Sequence, residues 1–520
     1  MHATTPSTSF PPFDSAPVTG WRRMLRDTSI VGVSSIACHV LGAVTAILFR
    51  MLLSPTEMGI WQTLKMILGY ANFANLGVSK GATRDYTIAA GRGDEAEAVV
   101  GLNCAFAVNT LSSLLYGGVP IGVGAWVLAV GTAETFWGVG LIAVGLMTII
   151  SRYVTFHVNI LRCQQAFDKT AWISVGEAIT TLALGGACTF LFGLPGLFAG
   201  TLLVIGLSAV LVRRFATIRL RWAWDTRRIR RLVAVGSPIL LAGCAVTLFR
   251  STDKMMILAY LDDGEFQLGC YSVALMVSIQ VFGLGNMLAT VMGPRYGEKY
   301  GRTGSCAAVA RMAMHATEMQ ALLVGGVAAA ALILAPPVLS ILLPDYRSGF
   351  ESIYRLVPGA VAMTLALPAS QYLVAIDRQR RVLATVCAAL VAAVAGNHWV
   401  LTAGGGIAGA ATVTAVCYFV YWLGLSVTAF PWVTSVREWL SHLASVFAVS
   451  SGPILVALLN PLPVSAPAMR LCEIELLQFL LAGGAFAVSA FILFKRMNAG
   501  RHERLEDFFR RVLRGRRGHE

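Results

Sequence analysis

The chain has 520 residues, of which 56% are hydrophobic and 13% are charged, and its mean hydropathy is +0.69. A water-soluble protein of this length could not cover so much apolar surface with so few polar residues. A net charge of +14 would suit a nucleic-acid partner in a soluble protein, but here the basic residues sit in short loops and in the C-terminal tail. The composition therefore excludes a soluble globular protein and a nucleic-acid partner, and it predicts a multi-pass membrane protein.

Residues 1–28 form the predicted cytoplasmic N-terminus. The first twenty are rich in Pro, Ser and Thr and lack Lys and Arg, which is typical of disorder. The first apolar run follows Trp21-Arg22-Arg23 and is as long as a full span, so we interpret it as a retained span and not as a signal peptide. Ten cysteines are scattered without a CxxC pair, which argues against a disulfide framework.

Apolar runs of about 20 residues predict transmembrane helices. They predict spans near 29–52, 58–79, 98–118, 136–160, 170–192, 195–212, 235–260, 267–291, 308–334, 350–374, 382–402, 404–430, 439–459 and 476–494. Pro336-Pro337 is expected to break the end of the ninth span. The predicted fold class is all-α: a polytopic membrane protein with about fourteen transmembrane helices, in two six-helix lobes plus two C-terminal helices.

The predicted domains follow from this span order. The first lobe is residues 29–212, a basic cytoplasmic linker is 213–234, and the second lobe is 235–430. Residues 431–494 add two transmembrane helices, and residues 495–520 form a basic cytoplasmic tail.

The placement of Lys and Arg predicts the orientation in the membrane. With both termini in the cytoplasm, 34 of the 41 basic residues fall in inner loops, at inner span ends or in the tail, and Arg152 is counted among them. The other seven lie at outer edges (Arg50, Arg347, Arg355 and Arg470) or within spans (Lys65, Arg250 and Lys254).

The chain also repeats itself at a spacing of 210 residues. Gly59 and Trp61 correspond to Gly269 and Tyr271, at the starts of the second and eighth predicted spans. The loop after the second span also matches the loop after the eighth, and the start of the sixth span matches the start of the twelfth. Six spans per half give both halves the same orientation, so we expect them to be related by an axis along the membrane normal.

No motif points to catalysis. The sequence has no P-loop, no HExxH and no Gly-x-Ser-x-Gly, and we predict a protein that is not an enzyme and that needs no cofactor and no metal. Gly404-Gly405-Gly406 is interpreted as a tight turn. Asp262-Asp263 could hold a metal, but a solvated turn fits this short loop better.

Charged residues inside the predicted spans are the functional signal. Lys65 lies well inside span two, and Arg250 and Lys254 share one face of span seven at a spacing of four residues. Each such cation costs ~2.5–3.5 kcal/mol at mid-membrane, and Asp253 can offset only one of them. Arg50 could reach the outer surface at little cost. A water-filled cationic cavity for an anionic ligand would explain these residues, and the alternative is that they snorkel or pair within the bundle.

Other polar residues within the spans are candidate ligands or ion carriers. Trp61, Lys65, Asn72 and Asn75 follow one another at helical spacing on span two. Glu177 on span five, and Glu318 with His315 on span nine, could carry H+ or Na+ as a coupling ion. The alternative is that these carboxylates are solvated at the cytoplasmic mouth.

Several motifs resemble bacterial polysaccharide flippases of the multidrug/oligosaccharidyl-lipid/polysaccharide exporter superfamily. The stretch 49–61 resembles their first hairpin, and Asn75-Leu76-Gly77-Val78-Ser79 resembles the end of their second span. The stretch 252–260, followed by 269–274, resembles their seventh-span signature, with Lys254 in place of the usual Arg and Cys270 in place of Leu. Leu342-Leu343-Pro344-Asp345-Tyr346 is similar to a loop of the family, and the resemblance covers residues 25–430.

The resemblance implies two six-helix lobes around a cationic cavity, in the bacterial inner membrane. The implied cargo is an oligosaccharide on undecaprenyl pyrophosphate, carried to the outer leaflet for exopolysaccharide or surface-glycan assembly, with membrane lipid and glycan polymerases as partners. Arg50, Lys65, Arg250 and Lys254 would bind the pyrophosphate, and Asn72, Asn75 and Gln280 the sugar hydroxyls.

Three alternatives stay open at this point. A lipid II-type flippase would carry an Arg in span eight, which this chain lacks, so Arg250 and Lys254 on span seven would have to substitute. An ion-coupled small-molecule antiporter of the same superfamily would present acidic residues in its cavity. A membrane-bound glycan polymerase or glycosyltransferase would need a sizeable outer loop with catalytic residues.

Overall fold

The computed structural model describes residues 21–91, 95–131, 135–164, 166–216, 218–459, 481, 483–488, 490 and 491. Within these residues all regular structure is helical, which confirms the predicted all-α fold. The α-helices in chain order are α1 (Trp21–Leu52), α2 (Pro55–Tyr70), α3 (Val78–Gly91), α4 (Glu95–Val130), α5 (Thr135–Cys163), α6 (Phe167–Thr180), α7 (Gly186–Phe215), α8 (Thr226–Phe249), α9 (Thr252–Tyr260), α10 (Gly264–Thr303), α11 (Cys306–Leu342), α12 (Phe350–Ala375), α13 (Gln379–Thr402), α14 (Gly406–Ala429) and α15 (Val436–Leu459).

Nine helical segments of the described chain are long and apolar enough to cross a membrane, or ten if α8, which bends near Pro238, counts as one span. They make the protein a multi-pass membrane protein. The predicted N-terminus and tail, and most of the fourteenth span, lie outside the described residues, so the total of fourteen stays a prediction.

Two glycine turns lie where the sequence analysis separated neighbouring spans. Gly193 has φ 61° inside α7, and beyond it the chain doubles back, so that a Cβ on Gly196 would lie 1.9 Å from the carbonyl oxygen of Cys188. Gly404, which follows α13, and Gly406, the first residue of α14, have φ values of 82° and 57°. A left-handed backbone favours glycine, because it has no Cβ to clash.

Span two is shorter than predicted. α2 ends at Tyr70, a 3₁₀ turn covers Ala71–Phe73, and α3 begins only at Val78. Leu76 and Gly77 lie between them with φ values of 52° and 83°, which no continuous helix allows. The predicted stripe from Trp61 to Asn75 is therefore not one helical face.

Pro336-Pro337 does not break the ninth span. α11 continues through both prolines to Leu342. Proline removes one helical hydrogen bond, but a membrane-spanning helix tolerates it where neighbouring groups satisfy the freed carbonyl.

The described chain packs into two compact units. The first unit contains the described residues up to Gly42 together with Leu68–Leu240. Within it, α3, α4, α5 and α8 bury a shared apolar cluster, to which Val78, Ala82 and Tyr86 contribute from one face of α3.

The second unit contains Ala43–Ile67 together with the described residues from Leu241 onward. Within it, α12 packs against α10, α11 and α14 and is buried on most sides. The lobe boundaries predicted from the spans stay a prediction.

A reciprocal contact inside the second unit involves the repeated glycines. A Cβ on Gly59 of α2 would lie 1.8 Å from the carbonyl oxygen of Glu265, and a Cβ on Gly269 of α10 would lie 1.7 Å from that of Pro55. A shift of 210 residues relates Pro55 to Glu265 and Gly59 to Gly269. The two segments therefore contact each other through equivalent positions, as the predicted repeat would require.

Candidate substrate-binding site

The second unit contains most of the predicted site. Arg50 lies on α1, Lys65 on α2, Arg250 between α8 and α9, and Asp253 and Lys254 on α9. Each of these residues was predicted independently, because it is a charge within or beside a span. In the fold they belong to one compact unit, and we call Lys65, Arg250, Asp253 and Lys254 the cationic cluster.

The chain breaks its helix at the cluster. α8 ends at Phe249, Arg250 and Ser251 form a turn, and α9 begins at Thr252. The Ser251 amide donates to the carbonyl oxygen of Leu248 at 2.9 Å, a tighter turn than an α-helix makes. The break places the positive end of the α9 dipole beside these charges, as at substrate sites built from discontinuous membrane helices.

Arg250 is held against aromatic rings. Its Cζ lies 3.9 Å from the centre of the Phe282 ring on α10, which is cation–π geometry. Tyr418 on α14 also lies beside its guanidinium. These contacts fix a half-buried cation on two neighbouring helices without neutralising it.

Asp253 is the carboxylate of the cluster, and it is 1% exposed. It accepts a hydrogen bond of 2.6 Å from the Tyr271 hydroxyl and one of 2.8 Å from the Lys254 amide. Both Arg250 and Lys254 lie close enough to attract it electrostatically. One carboxylate therefore faces more than one cation, and the cluster keeps an excess of positive charge.

Lys65 supplies the accessible cation. Its side chain is exposed on α2, and it lies close enough to Arg50 and Lys254 to be repelled by both. An anionic group bound among these like charges would relieve their repulsion. The arrangement suits a ligand with more than one negative charge.

Arg50 differs from the sequence expectation. It does not reach outward to water, because it is 6% exposed. Its guanidinium donates to the hydroxyl and the carbonyl oxygen of Ser272 at 3.1 and 2.9 Å, and to the carbonyl oxygen of Ala46 at 2.7 Å. These bonds join α1 to α10. Its predicted role in binding stays a prediction.

The predicted sugar ligands are divided between the two units. Asn75, in the first unit, is buried, donates to Ser79 at 2.6 Å and accepts from the Gly77 amide at 3.1 Å, so its side chain stabilises the turn before α3. Asn72 is exposed in the same unit. Gln280 is half-buried on α10 of the second unit.

Arg152 is a buried cation of the first unit that was not predicted as a site residue. The orientation prediction counted it among the inner-loop and span-end charges, but its side chain is 5% exposed near the middle of α5. Its guanidinium donates to the side-chain oxygens of Asn109 at 2.5 Å and Asn72 at 3.3 Å, and its buried Nε has no partner among the described residues. Its burial depends on which face of α5 points into the protein, and mean hydropathy along the sequence does not show which face that is.

The two candidate ion carriers lie in different surroundings. Glu177 is exposed on α6 of the first unit, near Cys38. Glu318, on α11 of the second unit, bonds to His315 at 3.3 Å and to His442 of α15 at 2.9 Å. His442 was not predicted, because a single histidine in an apolar run carries no pattern.

The described residues contain no group of three or more His, Cys, Asp or Glu side chains placed to hold a metal ion. Asp262 and Asp263 are exposed in the turn before α10, as a solvated turn predicts.

Solved structures of transporters share this fold. MurJ, a lipid II flippase in an inward closed conformation, matches with a TM-score of 0.64 and 11% identity, over 90% of this chain and 99% of its own. An inward-facing multidrug resistance MATE family transporter matches with a TM-score of 0.59 and 14% identity, over 78% and 96%. A transporter from Pyrococcus furiosus, whose binding pocket is described as having reverse polarity, matches with a TM-score of 0.55 and 15% identity, over 80% and 97%.

These likenesses define the class: an α-helical membrane protein with the fold of the MOP superfamily, to which the MATE and Pyrococcus transporters belong. No curated protein sequence matches the chain. A family model described as "Polysaccharide biosynthesis protein" matches residues 47–346, more than half of the sequence. The chain belongs to this family of polysaccharide biosynthesis proteins, in agreement with the resemblance found in the sequence.

Proposed function

We propose that the protein is a flippase that moves an undecaprenyl-pyrophosphate-linked oligosaccharide from the inner to the outer leaflet of the bacterial inner membrane. The glycan would feed exopolysaccharide or surface-glycan assembly. The observation that carries the proposal is the excess of cations around the helix break at Arg250. Family membership supports a glycan substrate, and a pyrophosphate supplies the multiple negative charge that the cluster lacks.

In this proposal Lys65, Arg250 and Lys254 contact the pyrophosphate. Arg50 contributes positive potential from its buried position and holds α10, which carries Tyr271. Asp253 keeps Lys254 and Arg250 oriented, because its own position is fixed by Tyr271. Release then remains possible, since a cluster with one internal carboxylate binds an anion less tightly than three unopposed cations would.

Sugar hydroxyls would contact amide side chains. Asn72 is the better candidate in the first unit, because Asn75 already uses its amide in a turn. Arg152 donates to Asn72, so we assign it as a positioning residue for that amide. Gln280 would contribute from α10.

The substrate headgroup would cross by alternating access while the lipid tail stays in the membrane. Both chain termini would lie in the cytoplasm. A membrane potential negative inside favours outward movement of an anion by ~2.3 kcal/mol per charge per 100 mV. A coupled H+ or Na+ would reset the empty carrier.

The rival functions make different demands on the site. An antiporter for cationic drugs needs acidic groups, whereas Asp253 is the one carboxylate in this cluster and is already engaged. A lipid II-type flippase shares the required pyrophosphate chemistry, so the sugar carried distinguishes it. A glycan polymerase or glycosyltransferase would act on lipid-linked substrate that has already crossed, which a leaflet assay separates.

Arg250→Ala tests the assignment. The variant should insert normally and fail to support glycan export. Arg347→Ala is the matched control, because Arg347 is an exposed cation of the same unit outside the cluster. Membrane insertion and exported glycan are measured together. Export at the normal level in Arg250→Ala would remove the cluster from the mechanism.

A further inference from the structure

α11 and α15 are joined at three points that recur every seven residues along α11. Arg311 pairs with Glu438 at 3.0 Å, and Glu318 bonds to His442. At Gly325 the helices approach so closely that a Cβ would lie 3.0 Å from the Cα of Ser450. A seven-residue spacing keeps these points on one side of α11.

The middle point is a cluster of three titratable side chains. The two oxygens of Glu318 bind different imidazoles: Oε1 contacts Nδ1 of His442 at 2.9 Å, and Oε2 contacts Nδ1 of His315 at 3.3 Å. Side-chain exposure falls from 41% at His315 to 13% at Glu318 and 2% at His442. The cluster thus leads from an accessible imidazole to a buried one, and we call it the His–Glu–His cluster.

The chemistry of the cluster favours a proton over a metal cation. Both carboxylate oxygens already face ring nitrogens, and sodium requires several oxygen ligands. The nearby hydroxyls of Thr317 and Ser445 donate to carbonyl oxygens of their own helices. Histidine, by contrast, changes charge near neutral pH, and a carboxylate between two imidazoles can pass a proton between them.

Both histidines act electrostatically on Glu318. Arg311 and Glu438 form the next charged pair on the same interface. Phe430 meets the His442 ring edge-on at 5.8 Å between ring centres, and Tyr372 of α12 stacks on Phe430. Charged side chains on the other helices packed against α11 lie near helix ends: Glu265, Arg295, Glu298, Lys299 and Arg302 on α10, Glu351 and Arg355 on α12, and Asp345 and Arg347 on the 3₁₀ helix Pro344–Gly349.

We propose that His315, Glu318 and His442 form one proton-binding site, and that proton binding there tightens α15 against α11. A protonated imidazole donates a charge-assisted hydrogen bond to the carboxylate, which is stronger than a neutral one. Falling pH therefore strengthens the α11–α15 contact as long as Glu318 stays ionised. α15 lies outside the two six-span repeats of the sequence, so this site makes an added helix part of the carrier. The proton would be its coupling ion, a role that rests on the proposed function.

Hydrogen exchange tests the site without any substrate. The full-length protein is reconstituted in lipid nanodiscs, and exchange along α15 is compared at about pH 6 and about pH 8, the range in which histidine titrates. After correction for intrinsic exchange, wild-type α15 amides should exchange several-fold more slowly at the lower pH. Unchanged protection in the wild type overturns the proposal.

Three variants separate proton binding from packing. Glu318→Gln and His442→Asn should abolish the pH response, because Gln cannot ionise and Asn keeps an amide nitrogen near the position of Nδ1 without titrating. Glu438→Gln breaks the neighbouring ion pair of the same interface and should keep the response. Loss of the response in Glu438→Gln as well would assign it to the interface as a whole and overturn the site.

The coupling role has its own measurement. Movement of lipid-linked oligosaccharide in proteoliposomes is followed under a pH gradient or a sodium gradient. Dependence on the pH gradient that Glu318→Gln removes supports proton coupling, and dependence on sodium alone overturns it. If no oligosaccharide moves while the exchange response persists, the proposed function fails and the proton-binding site stands.

Discussion

Arg50 and Lys65 carry the same charge in the same unit, yet their surroundings give them different roles. Arg50 is buried, and its guanidinium bonds to Ser272 and to the carbonyl oxygen of Ala46. Lys65 is exposed among other cations. A buried charge that loses its bonds destabilises the fold, whereas an exposed charge among like charges contributes chiefly to binding.

A matched pair of variants separates the two roles. Arg50→Gln should destabilise the folded protein by about 1–3 kcal/mol, since Ser272 and Ala46 lose their donor. Lys65→Gln should leave stability unchanged or raise it, and it should weaken binding of a polyprenyl pyrophosphate. Thermal unfolding and binding are measured on the same preparations. Equal stability of the two variants would contradict the role of Arg50 in joining α1 to α10.

Tyr271→Phe removes the hydroxyl that donates to the buried Asp253. The ring volume is kept, and the carboxylate loses a donor at 2.6 Å. We expect destabilisation of about 1–3 kcal/mol and weaker binding of pyrophosphate, because Asp253 no longer holds Lys254 and Arg250 in place. Tyr354→Phe is the control, since the buried Tyr354 hydroxyl has no described partner. Similar losses in both variants would show that the bond has no special role.

At the residue scale the sequence predicted the cations of the second unit, because an unpaired charge in an apolar run is expensive enough to need a reason. It did not predict Arg152, whose position near an inner span end offered a simpler explanation. Nor did it predict His442, whose partner Glu318 lies more than a hundred residues away. Both depend on which helix faces meet, and a single sequence does not record that.

At the scale of helices, hydropathy predicted the nine or ten spans that the described residues show, and Gly404-Gly405-Gly406 predicted the turn between α13 and α14. Hydropathy missed the break at Arg250–Ser251, because the apolar run continues on both sides and neither residue is a Pro or Gly. It missed the interruption between Tyr70 and Val78 because the predicted span ran through it, although Gly77 lies there. The predicted helix break at Pro336-Pro337 was wrong, because neighbouring groups in the packed protein decide whether a membrane helix tolerates proline.

The reciprocal glycine contact gives a prediction for the helices. Gly59→Ala and Gly269→Ala would each place a Cβ within 1.8 Å of a backbone oxygen, so α2 and α10 must move apart. Each should destabilise the protein by about 1–3 kcal/mol. Gly69→Ala and Gly301→Ala are the controls on the same helices, since nothing lies within 4 Å of the added methyl. Folded yield and thermal unfolding are measured for all four variants. Equal stability of the four would contradict the close contact between α2 and α10.

At the scale of the whole molecule, composition alone predicted a multi-pass membrane protein, and the repeat predicted two equivalent halves without predicting the contact between their glycines. The family model covers residues 47–346, which contain the cationic cluster. The His–Glu–His cluster includes α15, outside that range. Substrate recognition would then reside in the shared part of the chain, and proton binding would depend on an added helix.

The most direct test of the flippase is the leaflet position of the lipid-linked oligosaccharide in cells that lack the protein. We expect the intermediate to accumulate on the cytoplasmic leaflet, wild type to clear it, and Lys65→Ala or Arg250→Ala to leave it there. If the intermediate instead reaches the outer leaflet normally and stays unpolymerised, the protein does not move it, and an enzyme acting after transport becomes the better explanation.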